Sequence, residues 1–167
     1  MSTSTPPHRT AAGPSRANDD DFARRRTVLL HLLREHLAQY AVGAPLPWSG
    51  QLADWLGQET HHISAALVQL DQMGEVVYGG RHRVARRLGP NEQHPDDVAL
   101  DQAVRAAIAS GAYRPGDPLP TAILASRHGL DLTKVPRAFR RLIKDKLVAH
   151  RDGPAGPGYY VLPQPGS

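Results

Sequence analysis

The 167-residue sequence contains no cysteine. That excludes disulfides, thiolate metal ligands and cysteine nucleophiles, and it fits a reducing compartment. Aromatic residues are scarce, at 5%, so any core must be built mainly from Leu, Val, Ile and Ala. No stretch approaches the about 20 apolar residues that a membrane span needs, and the first 21 residues carry no apolar run of the kind a signal peptide has. A GxxxxGK[ST] phosphate loop, a GxSxG elbow and an HExxH pair are all missing. Carboxylates are scattered over helix ends and linker. These absences argue against an enzyme, and no cofactor and no membrane partner is expected.

What is present is a modest excess of positive charge, +4 with a pI near 9.8, carried mostly by arginine. Such a balance favours polyanionic partners. The length suits one medium domain or two small ones. Two units of about 65–70 residues would have thin cores, so packing of one on the other is expected.

Residues 1–21 are rich in Ser, Thr, Pro, Ala, Asn and Asp and are expected as a flexible tail. Phe22–Val42 reads as a helix with an apolar stripe of Val28, Leu29, Leu32, Leu33 and Leu37. Arg24, Arg25 and Arg26 stand at its start, either as phosphate contacts or as a solvated end. The turn that follows, Gly43-Ala44-Pro45-Leu46-Pro47, returns 73 residues later as Gly116-Asp117-Pro118-Leu119-Pro120. At a spacing of 72 the match continues: Leu52-Ala53 with Leu124-Ala125, Gly57 with Gly129, Ile63 with Val135, Ala66 with Ala138, Leu67 with Phe139, Leu70 with Leu142 and Val76 with Val148. Turn formers and inward apolars are the positions that specify a fold. The pattern predicts two copies of one unit: 22–89, a linker at 90–96, and 97–163, with a frayed end at 164–167.

In each copy a short helix, a glycine turn and a third helix make a helix-turn-helix. In the first copy the third helix is expected over Ile63–Met73. Its outward residues His61, His62 and Gln69 are able to hydrogen-bond bases or phosphate. His61 and His62, being adjacent, are expected to point to different sides and to make a poor metal pair. Trp48 and Trp55 are expected in the core or the seam between copies. Glu75–Tyr78 and Arg81–Leu88 read as a hairpin turning at Gly79-Gly80. Its Arg81, Arg83, Arg86 and Arg87 suit a wing on a phosphate backbone, or an edge strand guarded by charge.

In the second copy Thr121 is expected to cap a helix ending near His128, and the third helix to run roughly Lys134–Asp145. Pro136 must lie in that helix's first turn, with Asp131 or Thr133 as cap. Val135, Ala138, Phe139 and Leu142 share one face; Lys134, Arg137, Arg140, Arg141 and Lys144 share the other, with Thr133 at the tip. Five cations with hardly a carboxylate among them point to a phosphate backbone. Ala149–Val161 reads as a second hairpin, with a longer uncharged tip over Asp152–Gly158.

The second copy resembles the DNA-binding domain of GntR-family winged-helix transcription regulators. The resemblance rests on Ile108-x-x-Gly111, Tyr113-x-Pro115-Gly116-Asp117-x-Leu119-Pro120, Leu124-Ala125, Gly129, Val135-x-x-Ala138-Phe139-x-x-Leu142, Leu147-Val148 and Tyr160-Val161. Where the family usually has Ser-Arg and then an Arg after the Val, this chain has Asp131, Leu132 and Pro136. The fold expected is mostly α (α+β): two tandem winged helix-turn-helix domains, each of three helices and a β-hairpin wing. The function expected is binding of double-stranded DNA as a small transcription regulator in the cytoplasm, on the nucleoid. A homodimer stays open. The chain ends after the second wing, so no small-molecule effector domain is implied. The competing reading is a winged-helix protein-interaction or scaffold module, favoured by Leu132, Pro136 and the uncharged first recognition helix.

Overall fold

A computed structural model describes residues 16–79 and 85–165, with side chains from residue 18 onward. Among the described residues, six α-helices and two hairpins follow one another: α1 (Arg16–Leu37), α2 (Ser49–Leu56), α3 (Thr60–Met73), β1 (Val76–Val77), β2 (Arg86–Arg87), α4 (Val98–Ala109), α5 (Thr121–Arg127), α6 (Val135–Lys144), β3 (Val148–Gly153) and β4 (Gly156–Val161). The protein is mostly α, of winged-helix type. Among the described residues no helix is long and apolar enough to cross a membrane.

There are two separate apolar cores. One gathers Leu30, Leu33 and Leu37 of α1 with residues of α2, α3 and β1. The other gathers Leu100 and Val104 of α4 with residues of α5, α6, β3 and β4. The positions paired in the sequence are buried on both sides. Leu46, Leu52, Ala53, Ile63, Ala66, Leu67, Leu70 and Val76 lie in the first core, and Leu119, Leu124, Ala125, Val135, Ala138, Phe139, Leu142 and Val148 in the second.

Hydrogen bonds at the paired positions correspond as well. Leu46 N–H donates to Ala85 O at 2.7 Å and Leu119 N–H to Tyr159 O at 2.8 Å. Pro45 and Pro118, which have no N–H to give, occupy the edge bridges to Arg86 and Tyr160. Gln58 N–H to Ala53 O and Leu130 N–H to Ala125 O, both 2.9 Å, close the two helix-turn-helix turns. Glu75 N–H to Leu70 O and Leu147 N–H to Leu142 O, again 2.9 Å, close the two recognition helices.

Several expectations change in detail. The helix α1 begins at Arg16, so residues 16–21 are helical rather than tail. Asp19–Asp21 suit the positive end of the helix dipole, and Asp21 pairs with Arg25 at 2.6 Å. The inward stripe of α1 is Leu30, Leu33 and Leu37, while Val28 and Leu32 face out. Trp48 and Trp55 are exposed at 66% and 58%, not buried in a core or seam. Thr121 is the first residue of its helix and does not cap it; the cap position is Pro120. Val77 pairs with Arg86, and the turn expected at Gly79-Gly80 runs into residues outside those described. The second wing, expected to have a long tip, is tight. Gly153 pairs with Gly156 across Pro154-Ala155, and Gly156 takes a φ of 91°.

A left-handed residue follows each third helix, Gly74 directly after α3 at φ 78° and Lys146 two residues past α6 at φ 57°. Lys146 bears a strain that its counterpart avoids. Lys146→Gly should therefore raise unfolding free energy by about 0.5 kcal/mol, the relief of strain being partly offset by the greater freedom of glycine in the unfolded chain. A shift in the urea midpoint with an unchanged slope measures it.

Candidate nucleic-acid interface

The second helix-turn-helix is built locally as its residues require. Gly129, at φ 66°, makes the turn after α5. The Asp131 carboxylate accepts from Thr133 N–H at 2.8 Å and from the Thr133 hydroxyl at 2.7 Å, and so caps a single 3-10 turn, Leu132–Lys134. These bonds stabilise the charged form and hold the Asp131 pKa below its ordinary value. Pro136 falls in the first turn of α6, where its missing N–H costs nothing.

The charged face of α6 is not one solvated stripe. Arg137, expected outward, is only 5% exposed. Its Nε and one terminal nitrogen donate to the two oxygens of Asp97, each at 2.8 Å. Its other terminal nitrogen donates to the Asp71 carbonyl at 2.8 Å and to the Asp71 carboxylate at 2.9 Å. Asp71 belongs to α3, so the recognition helix of the second half is docked on the end of the recognition helix of the first. Arg137 is thus corrected from a DNA contact to a seam residue. Two buried carboxylates and a helix C-terminus hold it more strongly than water would.

Asp71 carries more of the seam. It accepts Tyr78 N–H at 2.9 Å and meets His94 Nε2 at 2.9 Å. Because Asp96 N–H donates to His94 Nδ1 at 3.2 Å, the ring proton sits on Nε2 and is donated to Asp71. Burial alone pushes the Asp71 carboxyl up; the bonds from His94 and Tyr78 and the Arg137 cation outweigh it, and its pKa is lowered. The same balance raises Arg137: burial works against the cation, and Asp97 and Asp71 more than offset it. His94, Asp71 and Asp97 were not singled out in the sequence. The one available signal was an aspartate in the last turn of α3, where the helix dipole disfavours an anion without a partner.

The remaining α6 residues divide. Thr133 is exposed and accepts from Gln72 Nε2 at 3.3 Å; Lys134 is half-buried. Arg140, Arg141 and Lys144 are exposed. Arg140 donates to Met73 O at 2.8 Å and Arg141 to Gln93 Oε1 at 2.9 Å, both across the seam. Asp145, the carboxylate nearest Arg141 in sequence, pairs instead with Arg105 at 2.6 Å.

In the first half His61 and His62 are exposed and Gln69 is half-buried, accepting from Arg26 Nε at 2.7 Å. The two imidazoles do not diverge: their ring centroids are 4.0 Å apart, and His61 Nδ1 lies 3.1 Å from Glu59. Glu59, His61 and His62 are the three residues, among those described, whose ligand atoms come within 4.8 Å of one another. All three are solvent-exposed. In the first wing Arg86 pairs with Glu92 at 2.7 Å, and Arg87 donates to Tyr40 O at 2.6 Å, at the end of α1. Arg81 and Arg83 lie outside the described residues.

With α5, the Gly129 turn and α6 in place, the sequence of this segment can be set against known families. Residues 98–155 match the profile of the bacterial regulatory proteins, gntR family. This segment is similar to the DNA-binding domain of that family. Comparison with curated proteins and with solved structures found no match. The match covers α4 through the β3 strand and its turn, and so includes the helix-turn-helix of α5 and α6.

Proposed function

We propose that the protein is a double-stranded-DNA-binding transcription regulator made of two copies of one winged helix-turn-helix unit. The copies span residues 16–89 and 97–163, joined by the linker 90–96, and act on the nucleoid in the cytoplasm. The observation that carries this reading is the GntR-family match over a segment whose helix-turn-helix is fully formed. Recognition helices present their N-terminal residues to the groove. That assigns base and phosphate contacts to Thr133 and Lys134 in the second copy, to His61, His62 and Gln69 in the first, and to Arg81 and Arg83 of the first wing. Arg137 holds the copies together. Arg87 braces the first wing against its own half, and Arg86 ties it to the linker through Glu92.

Binding to random-sequence duplex should fall steeply with salt, with a log–log slope of about 0.9 per phosphate contact. Lys134→Glu combined with Arg83→Glu should weaken it by about tenfold or more, corresponding to at least about 1.4 kcal/mol, with an unchanged circular dichroism spectrum. Fluorescence anisotropy against a salt series reads both. Salt-independent binding, or no loss in the double variant, overturns the assignment.

A protein-interaction module is the second reading. Leu132 at 59% exposure, Ile123 at 54% and the exposed Pro136 favour it, since they set apolar surface on and beside the recognition helix. Failure to bind any duplex together with self-association in sedimentation would select this reading.

A further inference from the structure

The docking of α6 onto the first half leaves a cleft of 680 Å³ between the two halves. That lies in the range of small-molecule sites, about 300–1,000 Å³. One wall is the outer face of α6, with Arg140, Arg141 and Lys144; the other is the end of α3, strand β2 and the start of the linker. Two carboxylates line the cleft, and each already has its own arginine. Glu75 takes two bonds from Arg34, at 2.7 and 2.8 Å, and Glu92 takes Arg86 at 2.7 Å. The α6 cations therefore face the cleft without a carboxylate to neutralise them. Arg140 and Arg141 each give one bond to a neutral oxygen, out of the five donors a guanidinium has. Lys144 has no partner among the described residues. Arg87, on the opposite wall, donates, among the described residues, to backbone carbonyls alone.

We propose that this cleft binds a small molecule carrying two or more phosphates. A single carboxylate would answer one of these cations; a chain of phosphates answers several at once, in the bidentate geometry arginine favours. A duplex is too broad for a concave site of this size and meets projecting helix ends and wings instead. The ligand touches both halves, so it holds α6 in its docked position. This assigns a small-molecule site to a chain whose sequence implied none, and it stands independently of the duplex contacts assigned above.

The test uses the full chain with sodium tripolyphosphate and with ADP, by calorimetry and thermal shift, in the absence of DNA. Both probes should bind and raise the melting temperature, as any ligand of the native state does. Arg141→Ala with Lys144→Ala should weaken binding tenfold or more. Arg114→Ala with Arg127→Ala, which removes the same charge from exposed sites elsewhere, should change it less than twofold. Tighter binding of ADP would show that the site also reads the nucleoside; equal binding would show that it reads phosphate alone, and either result supports the site. No binding by the parent protein, or equal loss in both double variants, overturns it, and neither result bears on duplex binding.

Discussion

Arg137→Ala should lower the unfolding free energy by about 3–5 kcal/mol, the usual cost of removing one partner from a buried ion pair. The size of the effect comes from what is left behind. Asp71 and Asp97 are each 2% exposed, and without the guanidinium they are two buried anions. Asp71 keeps the His94 and Tyr78 donors; Asp97 loses both of its bonds to Arg137. The loss should be seen as a lower urea midpoint. It should be accompanied by greater exposure of the seam to hydrogen exchange at Gln72–Gly74 and Leu132–Arg137. A cost below about 1 kcal/mol, the level typical of exposed ion pairs, would mean that the seam is open in solution.

Gly153→Ala should cost about 2–3 kcal/mol, within the range for overpacking a filled site. A Cβ at Gly153 would stand 2.2 Å from the Tyr160 ring. Tyr160 is 1% exposed and cannot swing away into water. Its hydroxyl donates to Gly156 O at 2.7 Å and accepts Ala155 N–H at 3.1 Å, so moving the ring also breaks the bonds that pin the wing's turn. Gly158, on the same hairpin, has open space where its Cβ would be, and Gly158→Ala should change stability much less. Chemical denaturation of the two variants side by side measures the difference; equal costs would count against the packing of Tyr160.

The inward apolar positions were legible because local rules control them. A glycine at a turn, a proline on an edge and apolars at helical spacing keep their meaning in any context. All eight apolar pairs matched in the sequence are buried in both cores. The wings were read less well. A glycine pair and an arginine run signal a hairpin, but not the register in which Val76 and Val77 pair with Arg87 and Arg86. The candidate site was the hardest to read. Helical periodicity places Arg137 beside Lys134 and Arg141, but whether that face meets water depends on the other half of the molecule. The residues that decide it, Asp71 and Asp97, are 66 and 40 positions away in the chain. Trp48 and Trp55 fail for the converse reason: large apolar side chains carry a burial preference, but nothing local supplies the surface to cover them.

The central claim is that one cation of a DNA-type recognition helix has become the clasp between two halves. The most direct measurement is a double-mutant cycle between Asp71→Ala and Arg137→Ala, read by equilibrium unfolding. A clasp predicts that the two losses are not additive, with a coupling energy of about 2 kcal/mol or more. Additivity to within about 0.5 kcal/mol, as for independent sites, would contradict it and return Arg137 to the proposed duplex-binding surface.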